Sequence, residues 1–309
     1  MHDTQKTTLQ YVADVCFPIA FYYVISNIAL YVINFIVQYV AERFFADGTA
    51  WVIRNAAALQ VADNAAAMCL GFFCVRRAFL SETAAGGETV LVAPRRVAAG
   101  WLLEGAQKRK KDWFWYIPLL LSGTGAALAL NFLAGIIQAA SRDAAYVQVA
   151  KTQYAVPLLL GLIAYGIVSP IVEEGVFRGI LYLKCRRYFG RRLPAALLSA
   201  LLFGTLHGNM VQGVYGFVMG MIMIWFYERY DSFLAPVIVH AASNISVFLI
   251  SFASGGRFDG SSGGSVGDDG AFGSTSMAVI WCVICAAVSV FSALFIVKWK
   301  KRTAAEEKS

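Results

Sequence analysis

The sequence predicts an all-α, polytopic transmembrane bundle of about eight spans, on three observations. Hydrophobic residues make up 59% of the 309-residue chain and charged residues only 15%, against about 45–50% and 25% in ordinary soluble domains. A surplus that large cannot be hidden in a water-soluble core of this size, so lipid must cover much of it. Several apolar runs reach the roughly 20 residues that cross about 30 Å of hydrocarbon, and the basic residues cluster between those runs.

In chain order the long apolar runs are 11–41, 113–139, 154–184, 211–230, 233–253 and 277–298. Two further segments are weaker. Residues 51–75 are Ala-rich and carry Arg54, Asp63 and Asn64, faces expected to turn toward the bundle or a partner. Residues 193–207 are short but apolar after Pro194, a good first-turn residue. The first run is too long for a secretory h-region and lacks a basic flank before it, so it reads as a span. Residues 254–276 are rich in Gly, Ser and Asp and read as a flexible loop. The expected divisions are 1–150 for the first three spans with the basic loop 76–112, 151–253 for a central core, and 254–309 for the loop, last span and basic tail.

The formal charge of +7 does not point to nucleic acid, because of where it lies. The loop 76–112 carries eight Lys or Arg, 185–192 carries Arg186, Arg187, Arg191 and Arg192, and the tail carries Lys298, Lys300, Lys301 and Arg302. Such clusters are retained on the cytoplasmic side. An eight-span count places all three there, with both termini. Residues 95–112, with Trp101, Leu102 and Leu103, could lie along the membrane surface as a basic helix. Of six cysteines, all but Cys185 lie in apolar runs, including the CxxC of Cys282 and Cys285. They read as small apolar residues rather than a disulfide or redox framework.

Ionisable groups inside a span cost about 2.5 kcal/mol or more and are functional candidates by default. The run from Ser169 to Arg178 holds Glu173, Glu174 and Arg178. Adjacent carboxylates in an apolar helix repel each other and lose hydration, which suits one of them to moving a proton. Glu174 and Arg178 are spaced for an i,i+4 ion pair, leaving Glu173, about 100° round the helix, to face a cavity. Pro170 removes a backbone hydrogen bond just before them. Phe203 and His207 follow on the next segment, and His240 and Asn244 share one helix face further on. A structural ion-pair lock and interhelical ties remain alternatives for each cluster alone. Together they supply a carboxylate base, two imidazoles and an amide, a sufficient set for hydrolysing an amide bond. Glu173 comes roughly 16 Å deep from Lys184 and His240 roughly 12 Å from Ser232, but His207 is roughly 22 Å from Arg192. The helix over 193–207 must therefore tilt or begin outside the hydrocarbon.

EExxxR, FxxxH and HxxxN, in that order on successive helices, resemble the CPBP intramembrane proteases, which include the Rce1-type CAAX prenyl endopeptidases and the bacterial Abi proteins. The matching residues are Glu173, Glu174 and Arg178, then Phe203 and His207, then His240 and Asn244. The resemblance covers about a third of the chain and implies an endopeptidase in a bacterial cell membrane. Its substrate would be a membrane-associated or lipidated peptide, such as a prenylated CAAX end, presented near the cytoplasmic face. Glu173 with His207 would activate water, His240 and Asn244 would hold the oxyanion, and Glu174 and Arg178 would support them. A metal-independent mechanism is expected. If zinc is bound, Glu173, His207 and His240 become its ligands and Glu174 inherits the base role. The competing reading is a non-catalytic immunity or scaffold protein on the same fold. Oligomeric state is not readable from the sequence.

Overall fold

The computed structural model describes residues 7–85, 113–153, 155–254 and 275–306; the surface-helix expectation for 95–112 and most of the Gly/Ser loop expectation lie outside them. Among the described residues there are helices and no strand. In order they are α1 (Thr8–Phe44), α2 (Gly48–Arg54), α3 (Ala56–Ala85), α4 (Ile117–Ile136, preceded by a 3-10 turn at Trp113–Tyr116), α5 (Ala139–Arg142) and α6 (Ala144–Gln153). Then come α7 (Leu158–Phe189), α8 (Arg192–Thr205), α9 (Met210–Tyr230), α10 (Leu234–Ala253) and α11 (Thr275–Glu306). Seven helices are long and apolar enough to cross a membrane, and α8 is the shorter apolar eighth.

Three expected boundaries move. The span expected over 154–184 begins at Leu158 and runs on to Phe189, so Cys185 and Arg186, assigned to a loop, are buried in helix. The arginine charge is matched there: Glu228 of α9 lies 3.0 Å from Arg192 and 3.9 Å from Arg186, and accepts from the Tyr182 hydroxyl at 2.6 Å. The helix expected over 51–75 breaks at Asn55 and then continues ten residues further, to Ala85. Finally, the span expected over 113–139 ends at Ile136, and Gln138 adopts a left-handed conformation with φ 54° before the short α5.

α7 is the central element. Two π-helical stretches, Ala164–Val168 and Gly175–Tyr182, flank the α-helical turn Ser169–Glu174. In the first, Ser169 N–H donates to Ala164 O, five residues back. The next residue in that register is Pro170, which has no N–H to give to Tyr165 O. The sequence therefore predicts a bend here, and the structure resolves it as a widened turn of the π kind found at functional sites.

The core is built where α7, α8, α9 and α10 meet α3 and α4, with Val176, Ile180, Leu181, Ala200, Met219, Met223 and Val239 almost wholly buried. Burying an aliphatic side chain contributes about 1.5–3 kcal/mol relative to water, though in lipid that gain shifts toward close packing. α8 and α9 meet at Gly204, where a Cβ would stand 2.3 Å from Gly213 O. Only glycine permits that approach, which sets the position of His207 just beyond. By contrast α1 and α11 expose apolar residues such as Phe35, Tyr31, Phe291 and Val283, as lipid-facing helices do.

Candidate active site

Glu174 and Arg178 are both fully buried, and the expected i,i+4 pair is formed, with Arg178 Nη1 donating to Glu174 Oε1 at 2.9 Å. Arg178 Nη2 also donates to Gly220 O at 3.3 Å, and its guanidinium lies 4.4 Å above the Phe203 ring. The phenylalanine of the second motif thus caps the cation of the first, a desolvated cation–π contact worth about 2 kcal/mol. Phe203 also meets His207 and His240 edge to face, with ring centroids 4.9 and 5.8 Å away. One aromatic ring gathers three polar residues, from α7, from the turn between α8 and α9, and from α10.

The ring nitrogens can be assigned from their partners. His207 Nδ1 lies 2.7 Å from Phe203 O, a carbonyl that only accepts, so Nδ1 carries hydrogen, and in the neutral ring Nε2 presents its lone pair. His240 Nδ1 lies 2.8 Å from Glu174 Oε1 and donates to it. Its Nε2 is then 3.7 Å from Glu173 Oε2, a gap suited to a shared water rather than a direct bond. Glu173 Oε1 accepts from the Ser169 hydroxyl at 2.6 Å.

Glu173, His207, His240 and Asn244 line one cavity of about 1220 Å³, together with Ser169, Tyr165 and Tyr215. Glu173 and His207 also border a smaller cavity of about 220 Å³ toward α1 and α3. The depth mismatch of His207 is resolved at the start of α8: Arg192 pairs with Glu228 near the end of α9, so α8 begins at the rim. Glu173 faces the cavity as expected, while Glu174 is turned away into the protein.

Asn244 does two things where one was expected. It lines the cavity, but its Nδ2 also donates to Tyr165 O at 3.2 Å. That is the carbonyl left without a π-register partner by Pro170. One Nδ2 hydrogen remains for another acceptor.

Asp143, between α5 and α6, was missed by the sequence reading. Its Oδ1 accepts from Tyr146 N at 3.0 Å, and its Oδ2 accepts from Met210 N at 2.9 Å and Val211 N at 3.2 Å. Asn209 Oδ1 caps the next amide, Gln212 N, at 2.8 Å. The first three amides of α9 are therefore satisfied, which pins the turn carrying His207, where Gly208 takes φ 77°. The Tyr146 amide, then those of Val211 and Met210, hold the Asp143 carboxyl below the usual carboxylate range. An Asp immediately before a helical run signals a local cap. Its reach to residues 210 and 211 had no sequence signal.

The zinc set of the sequence reading shares the cavity, yet among the described residues no three His, Cys, Asp or Glu side chains converge closely enough to hold a metal ion. Glu173 turns one oxygen to Ser169, and Glu174 is committed to Arg178 and His240. The arrangement does not fit a three-ligand zinc site.

Residues 155–246 match the family described as Type II CAAX prenyl endopeptidase Rce1-like. That segment holds every residue of the three motifs and the core helices that carry them. The chain is also 32% identical over 100 residues to a Bacillus subtilis (strain 168) protein named "Putative membrane peptidase YdiL". That alignment covers 31% of this chain and 38% of the relative, so less than half of either is compared. No solved structure matches the chain at a significant level.

Proposed function

We propose that this membrane protein is an intramembrane endopeptidase that cleaves a membrane-associated peptide with a carboxylate-activated water. The observation that carries the reading is the split between two adjacent carboxylates. Glu174 is buried against Arg178 and His240, while Glu173 faces a large cavity beside the second ring nitrogen of His240. One carboxylate orients and the other is available for chemistry.

In the proposed reaction, Glu173 takes a proton from water whose hydrogen bonding His207 Nε2 helps to direct. The water oxygen bonds to the scissile carbonyl carbon. Charge gathered on the carbonyl oxygen is met by the second Asn244 Nδ2 hydrogen and by His240 Nε2–H in its doubly protonated form. The proton on Glu173 then passes to the amide nitrogen, the C–N bond breaks, and a carboxylic acid and an amine leave. Glu174 and Arg178 are positioning residues, fixing His240 and Phe203.

The Rce1-like segment supports peptide-bond hydrolysis, and a prenylated CAAX end is one substrate class to be tried. The test is cleavage of quenched peptides, prenylated and unmodified, by the purified full chain in detergent, with and without a zinc chelator. Cleavage that survives chelation and is lost in Glu173→Gln is the expected result. A chelator-abolished activity would overturn the metal-free mechanism. Wild-type activity in Glu173→Gln would overturn the assignment of the base.

A further inference from the structure

The large cavity is not placed symmetrically between the two ends of the bundle. One end is defined by ion pairs and aromatic rings: Lys184 meets Asp14 of α1 at 2.8 Å and Glu82 of α3 at 3.1 Å, and Tyr230 donates to Trp115 O at 2.9 Å. Trp115 in turn packs edge-on against Trp299, with centroids 5.5 Å apart. The start of α1 and the ends of α3, α7, α9 and α11 are therefore on one face. Every Lys/Arg cluster of the sequence is attached there, including the eight between residues 76 and 112, which join α3 to α4. At the other end the described residues carry only Arg43, Arg54, Arg142 and Lys151. An asymmetry of that size places the basic face in the cytoplasm.

The exposed part of the cavity lining lies at the opposite end. Beyond Glu173 and His240 its walls are α5, α6 and the first turns of α9, and exposed residues such as Arg142, Gln148 and Val149 form its rim. The polar part of the wall is mostly neutral amide: Gln60, Asn64, Asn131, Gln148, Gln153 and Gln212. Amides offer both donors and acceptors, which is what an extended peptide backbone requires. Apolar Leu133, Ile137 and Val214 alternate with them on the same wall.

We propose that this site is reached from the non-cytoplasmic side of the membrane, and that its substrate is a peptide segment presented at that surface. The inference rests on the endopeptidase reading for the word substrate, but its geometry is independent of activity. A prenyl tail in the cytoplasmic leaflet would approach from the ion-paired end, away from the exposed part of the cavity lining. The proposal is the opposite of the expectation that the site is reached from the cytoplasmic face.

The experiment is cysteine accessibility in spheroplasts expressing the full chain, read as loss of free thiol to a membrane-impermeant sulfonated maleimide. Gln148→Cys marks the rim, Gln212→Cys and Asn131→Cys mark the wall within, and Arg191→Cys marks the basic face. Wild type, with its six free cysteines, sets the background. Each variant is required to elute from detergent as wild type does, and two wall positions guard against one failing to fold. The expected result is loss of the 148 thiol and of at least one wall thiol in intact spheroplasts, with the 191 thiol lost only after permeabilisation. Loss of the 191 thiol in intact spheroplasts, or wall thiols that react only after permeabilisation, would overturn the proposal. Labelling from outside by a protein that cleaves no peptide would instead overturn the endopeptidase reading and leave the accessibility inference standing.

Discussion

Two ionic clusters lie on α7, about two turns apart, and they are built differently. Near the basic face, Lys184 and Arg187 share Glu82, and Asp14 adds a half-exposed carboxylate. Every charge there has an opposite partner, and water is close. At mid-depth, Glu174 and Arg178 are wholly buried, while Glu173 and His240 stand 3.7 Å apart beside a cavity. The first cluster closes on itself, as a lock does. The second is tied together through Glu174 Oε1, with Glu174 Oε2 and Arg178 Nε left without a partner, and it opens to space at Glu173. Burial of a charge inside a span therefore does not by itself mark chemistry; a carboxylate that faces open space beside an imidazole does.

The sharpest way to break this contrast is to remove the mid-depth cation. Arg178→Ala leaves Glu174 buried and uncompensated, a loss expected at about 3–5 kcal/mol. It should appear as a large fall in the thermal midpoint in detergent and as poor recovery of folded protein. Retention of the wild-type midpoint would mean that the pair is not holding the core.

Asn244→Ala tests the double use of that amide. Loss of one oxyanion donor is expected to lower kcat about 10²–10³-fold. Stability should fall by about 1–3 kcal/mol, because Tyr165 O is left without a donor. A kinetic loss with an unchanged midpoint would remove the clamp at the π turn from the account.

Asp143 links the same site to its mouth from outside the spans. Its carboxyl is held low by backbone amides in the folded chain, so its contribution is present above the ordinary carboxylate value of about 4 and is lost as pH falls through its depressed folded value. The wild-type midpoint should therefore drop on acidification below about pH 4 more than that of Asp143→Asn. At neutral pH the variant should lose activity while His207 loosens, since Asn offers only one acceptor for three amides. Parallel acid profiles for the two proteins would contradict the assignment.

The smallest effect is expected at the basic face. Lys184→Ala removes one partner of the buried Glu82 but leaves it paired with Arg187, and Asp14 stays in reach of water, so stability should fall by less than in Arg178→Ala and peptide cleavage should not change. A loss of activity there would erase the distinction between lock and site.

Much of this was legible in the sequence. Hydropathy located the helices because a span must be long and apolar, and the Glu174–Arg178 spacing specified its own ion pair. The orientation of Glu173 followed from helical periodicity. Helix ends were less legible: α7 continues past Lys184 because acids on α1, α3 and α9 neutralise its basic residues, and such partners are remote in sequence. The second use of Asn244 depends on a carbonyl 79 residues away. Asp143 reaches 67 residues to Met210 for the same reason. Cavity shape, finally, is set by how short α5 and α6 fold against α9, which no periodicity encodes.

The most direct measurement compares Glu173→Gln with Glu174→Gln, each for peptide cleavage and for thermal midpoint. Glu173→Gln is expected to lose about 10²-fold or more in kcat with its midpoint unchanged, while Glu174→Gln is expected to lose several degrees because Arg178 is left uncompensated. The reverse pattern, with cleavage surviving at position 173 and stability surviving at position 174, would contradict the division of roles between the two carboxylates.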